Sequence, residues 1–212
     1  MKSENENNDR NLYLLRFLIA ASMILVAAAL RILPHPSNFT PIGAMAIFAG
    51  SLFRKRWMAF LLPLTALFAG DLFLGLYKLM FIVYISFALS VAIGRSVAPW
   101  RMPVRAIPRF SRDESCPRDS TPFPMLPRVA GAVFLGALQF FVVTNFAMWV
   151  LSDFYPKTSA GLAACFISAI PYFSNTLAGD VLFATILFGG YALAEKVLAP
   201  TNQLQKDNRY DL

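Results

Sequence analysis

Two carboxylates stand where carboxylates are rare. Asp71 lies in Ala69-Gly70-Asp71-Leu72 and Asp180 in Ala178-Gly179-Asp180-Val181, each inside apolar sequence. A carboxylate at the middle of a bilayer costs roughly 2.5–3.5 kcal/mol on insertion scales, so such groups pair, bind a ligand or face water. His35 is the single histidine. Pro34 and Pro36 hold its backbone extended, so the imidazole would project from a stiff turn, able to bond an anion or ligate a metal. Asn38, Thr40, Tyr77, Asn145 and Asn175 add hydrogen-bonding side chains near the ends of apolar blocks. Together they are the chemistry of a polar pocket for a small solute. Each also has a plainer role. The glycines before the aspartates permit close helix packing, Asn38 and Thr40 can cap a helix opening at Pro41, and a loop histidine can simply be solvated.

Two membrane aspartates also suggest hydrolysis. Intramembrane aspartyl proteases use a Tyr-Asp pair and a Gly-x-Gly-Asp turn. Here Phe68 and Leu177 stand where the second motif needs glycine, and neither aspartate follows a tyrosine. Nothing resembles a nucleotide-binding loop either, so an ATP-driven step would need a partner module. The sequence calls for no cofactor.

These residues need a scaffold, and composition says which. Of 212 residues, 57% are hydrophobic and 15% charged, where soluble domains have about a quarter charged. The apolar residues come in blocks too long for a water-soluble core of this size. The net charge of +7 does not imply nucleic acid, because Lys and Arg fall in the gaps between blocks. Cys116 lies in a polar linker and Cys165 in an apolar block, which gives no disulfide framework. The first block has a signal-like cleavage pattern at Ala27-Ala28-Ala29. Glu4, Glu6 and Asp9 precede it, however, so it is expected to be an uncleaved crossing.

An all-α, polytopic membrane bundle follows. A crossing helix needs about 20 apolar residues, and the expected crossings are 12–33, 41–53, 57–74, 79–97, 129–151 and 176–198. The apolar region 159–198 is too long for one crossing. A break around Pro171 to Asn175 is expected to leave 159–170 as a short outer half-helix. Residues 1–11 and 199–212 read as cytoplasmic tails, and the proline- and arginine-rich stretch 100–127 as a cytoplasmic loop. This scheme puts 16 of the 19 Lys and Arg residues inside and leaves Arg31, Lys78 and Lys157 outside, the bias that orients membrane proteins. Both termini are then cytoplasmic, and the polar side chains above gather at the outer end.

Four segments carry a family resemblance: the run Arg31 to Ala46, which contains Pro34-His35-Pro36-Ser37-Asn38-Phe39-Thr40-Pro41, then Asp71 to Tyr77, Thr144-Asn145-Phe146, and Ile170 to Asp180. They resemble an uncharacterised bacterial membrane family described as transport proteins. That family is similar in turn to the S-components of energy-coupling-factor vitamin transporters. The resemblance covers most of 12–198. It implies six helices, an inner-membrane location, an outward pocket for a small solute such as a vitamin, and an energising ATPase module as partner. The Ala-x-x-x-Ala pair by which many S-components dock that module does not occur between Leu12 and Leu33. The related solo vitamin B12 transporter is thought to use a cysteine near its pocket, and the outer motifs here contain none. The pocket residues implied are His35, Asn38, Thr40, Asp71, Tyr77, Asn145, Asn175 and Asp180.

Overall fold

The computed structural model describes residues 2–34, 36–53, 55–96 and 125–207. Among them are six helices and no strand: α1 (Lys2–Leu30), α2 (Ile42–Leu52), α3 (Arg56–Leu74), α4 (Met80–Ser96), α5 (Met125–Leu151) and α6 (Ser159–Asp207). The protein is an all-α membrane bundle. Four helices are long and apolar enough to cross a membrane: α1 from Arg10, α3, α5 from Leu126, and α6 as far as Leu198. His35 and residues 100–124 of the expected cytoplasmic loop lie outside the described residues. The expected polar tail is helical from Lys2, and α6 continues to Asp207.

The centre of the bundle is its shortest helix. α2 has 11 residues, about 16 Å at 1.5 Å per residue, roughly half the hydrocarbon thickness. Its sequence, Ile-Gly-Ala-Met-Ala-Ile-Phe-Ala-Gly-Ser-Leu, is apolar on every side, the pattern of a helix enclosed by protein. Ten of the eleven residues are buried, and α2 packs against all five other helices.

Glycines set how closely it packs. A Cβ on Gly50 would lie 3.1 Å from the Arg95 backbone nitrogen, and one on Gly94 would lie 2.8 Å from the Ile47 Cα. The α2 and α4 backbones therefore meet through one glycine from each helix, the close approach that small residues permit in membranes. Gln139 of α5 adds a polar tie to α4, donating to the Ser86 carbonyl at 2.8 Å and the Ser90 hydroxyl at 2.9 Å.

The expected break in the last apolar region is absent. α6 runs unbroken for 49 residues through Pro171 and Asn175, so no separate outer half-helix forms. A proline inside a helix costs about 3 kcal/mol, and packing on both sides of it opposes the break. Phe166 and Phe173 straddle Pro171, and both stack on Phe141, at 5.6 and 5.0 Å between ring centroids. The apolar 40 residues of α6 span about 60 Å, twice the hydrocarbon thickness, so they exceed one ordinary crossing. Arg16 of α1 pairs with Glu195 of α6 at 2.8 Å.

Candidate functional site

A half-length central helix creates an electrostatic problem. Its first turn lies among other helices, and its first amide N–H groups have no partner within the helix. The N-cap residue is Pro41, which supplies no side-chain bond. Asn38 and Thr40 do not cap α2 as expected. The partner comes from α6: Asp180, 2% exposed, accepts from the Ala44 N–H at 3.0 Å, with the Gly43 amide also facing its carboxylate. A carboxylate against the positive end of a helix is favourable on both hydrogen-bond and dipole grounds. Gly43 is required for this approach, since a Cβ there would lie 2.6 Å from the Asp180 Cγ.

One face of α6 grips the segment leading into α2. Asn175, Gly179 and Phe183 are spaced four apart and share that face. The Asn175 amide donates to the Ser37 carbonyl at 3.1 Å. Gly179 admits the Thr40 backbone, which would lie 3.1 Å from a Cβ there. Phe183 stacks on Phe39 at 6.1 Å. Asn38, between these contacts, has φ +63°, a conformation that asparagine tolerates better than most residues. Two of the segments singled out in the sequence, around Asn38 and Asp180, thus interlock.

Asp71 is held differently. It is fully buried and takes Arg31 Nη1 at 2.5 Å on one oxygen and the Tyr84 hydroxyl at 2.8 Å on the other. Arg31 also reaches the Tyr77 hydroxyl. Desolvation raises the Tyr77 pKa above its ordinary 10.0, and the negative charge of Asp71 raises it further.

These contacts frame a cavity of about 440 Å³ at the end of the bundle where α1, α3 and α5 end and α2 and α4 begin. Its polar wall is Arg31, Asn38, Thr40, Tyr77, Thr144, Asn145, Thr176 and Asp180. Its apolar wall includes Leu79, Ile82, Val83, Phe140 and Met148. Asn38, Thr40, Tyr77, Asn145 and Asp180 are thereby brought together. Asp71 is not in the wall but stands behind Arg31, and Asn175 is turned to Ser37 with Thr176 in the wall beside it. Cys165 is buried and donates to the Asn145 carbonyl at 3.5 Å, away from the cavity wall.

Sequence reasoning missed Arg31, Thr144 and Thr176 as wall residues. In the sequence Arg31 reads as an outer charge, although it opens the run that carries the resemblance. Thr144 and Thr176 adjoin the two asparagines chosen, on helices whose register the sequence alone left open.

The class defined by this fold is a polytopic helical membrane protein with a cavity of mixed polar and apolar lining at one end. Residues 12–203 match the model of a family of unknown function, DUF6580, and the chain belongs to that family. No curated protein and no solved structure matches it.

Proposed function

We propose that this protein is a membrane transport protein of S-component-like design that captures a small solute in the cavity between α1–α2, α3–α4, α5 and α6. The observation that carries the reading is the cavity itself. It has the volume of small-molecule sites, 300–1,000 Å³, and combines an apolar wall with a few convergent polar groups. Irregular backbone at membrane depth is tolerated where it is enclosed by protein or lines a water-filled cavity. The segment before α2 fits that rule, since Asn38 and Thr40 line this one. The charge bias of 16 against three supports a reading with the cavity end outside and both termini in the cytoplasm of a bacterial inner-membrane protein. Passage across the membrane then requires the wall to rearrange. A separate ATPase module is the partner if the step is ATP-driven.

Capture is favoured over hydrolysis by the two aspartates. Asp71 is engaged by Arg31 and Tyr84, and Asp180 by the first turn of α2, so each carboxylate has a structural partner of its own. A scaffold reading accounts for those contacts but gives no reason for the cavity. A thermal-shift screen of the purified protein against vitamins, corrinoids, nucleobases and amines separates the readings. A solute at a hundredfold excess over its Kd stabilises by about 2.7 kcal/mol when it binds only the folded state. Stabilisation that is lost in Asn145→Leu supports capture. A flat screen with well-folded protein supports the scaffold.

A further inference from the structure

The wall of the cavity is electrically and chemically lopsided, which bears on what it takes. This inference rests on the solute-capture reading. Arg31 is the cation in the wall, and its charge is met directly by Asp71 at 2.5 Å. Asp180 is the wall's carboxylate, and what faces it is the partial positive charge of a helix end, about half an elementary charge.

The hydrogen-bonding groups lean the same way. Thr144 gives its hydroxyl proton to the Phe140 carbonyl at 2.7 Å, and Thr176 gives its own to the Tyr172 carbonyl at 3.0 Å. A hydroxyl has one proton and two lone pairs, so each threonine presents a solute with an acceptor. Asn145 commits one of its two amide N–H groups to the Phe141 carbonyl at 2.8 Å, which leaves its side-chain carbonyl as an acceptor beside the second N–H. Phe140 and Met148, four residues before and after Thr144 on the same face of α5, add apolar surface to the wall, and an aromatic face also attracts cations.

We infer that the cavity selects small amphiphilic organic cations, bearing an ammonium or amidinium donor group on an aromatic or apolar body, over anions of the same size. The donor group sits among Thr144, Asn145, Thr176 and Asp180, and the body lies against Phe140 and Met148.

The test compares three indoles of similar size by calorimetric titration of the full chain in detergent: tryptamine as the cation, indoleacetamide as the neutral form, and indoleacetate as the anion. Tryptamine is expected to bind tightest and indoleacetate weakest. Thr144→Val and Thr176→Val, which keep shape and remove an acceptor, are expected to weaken tryptamine by roughly 2- to 10-fold each. Asp180→Asn is expected to erase the preference for cation over anion, and the threonine variants keep the inference testable if that protein does not fold. Equal affinity for all three indoles, or preference for indoleacetate, overturns the charge class while solute capture stands. Silence from all three overturns the class alone if the broad screen yields a hit, and overturns both readings if that screen is also flat.

Discussion

The carboxylate of Asp180 and the backbone N–H of Ala44 meet at 3.0 Å across 136 residues of sequence. Through that bond the longest helix closes the open end of the shortest. Removing it with Asp180→Ala leaves buried amides at the start of α2 without their acceptor, a loss of about 1–3 kcal/mol. Asp180→Asn retains a carbonyl acceptor and should lose less. Thermal unfolding in detergent checks the order; equal melting temperatures for wild type and Asp180→Ala would contradict it.

Gly43→Ala should destabilise the protein by about 1–3 kcal/mol, as overpacking does. The added methyl meets the Asp180 carboxylate, whose Cγ would be 2.6 Å away. Gly131 is also helical, but a Cβ there meets nothing within 4 Å. Gly131→Ala should therefore be neutral, or stabilising by about 0.5–1 kcal/mol through helix propensity. Opposite signs for the two substitutions are the expected result of paired melting curves.

Arg31→Met strands Asp71, which has no exposure to solvent. Leaving one member of a buried ion pair alone costs about 3–5 kcal/mol. Adding Asp71→Leu to Arg31→Met removes the stranded charge and should recover most of that loss. Additive effects of the two substitutions in a double-mutant cycle would show that the pair is not coupled.

Tyr77 should hold its proton past its ordinary value of 10.0. The unfolded chain ionises this phenol first, so the contribution of Tyr77 to stability is fully present below pH 10 and falls as pH rises through the folded value. The stability of wild type relative to Tyr77→Phe is expected to be flat below pH 10 and to decline from there as pH rises through the folded value. Denaturant titrations across the alkaline range measure the difference, and a constant difference would contradict the assignment.

How much of this was legible in the sequence depended on the kind of signal. Apolar runs closed by proline, glycine or basic residues put the ends of α2, α3 and α4 within a residue or two of their positions. The run through Pro171 was misread because proline is a local signal, while the Phe141 contacts that hold α6 straight are tertiary. Asp71 and Asp180 were recognised as residues that must pair, bind or face water. Their partners were not legible. Arg31 is 40 residues from Asp71 and Ala44 donates from its backbone, which leaves no trace in residue type. Thr144 and Thr176 were missed for a related reason: which of two adjacent helical residues faces a cavity is a matter of rotation about the helix axis.

The most direct measurement is thiol labelling at the cavity in intact cells. With Cys116 and Cys165 replaced by serine, Thr144→Cys puts one reporter in the wall. The account predicts that a membrane-impermeant maleimide modifies this cysteine from outside, and that a solute which stabilises the purified protein slows the modification. Labelling only after the membrane is breached, or a rate that no stabilising solute alters, would contradict an outward-facing solute site.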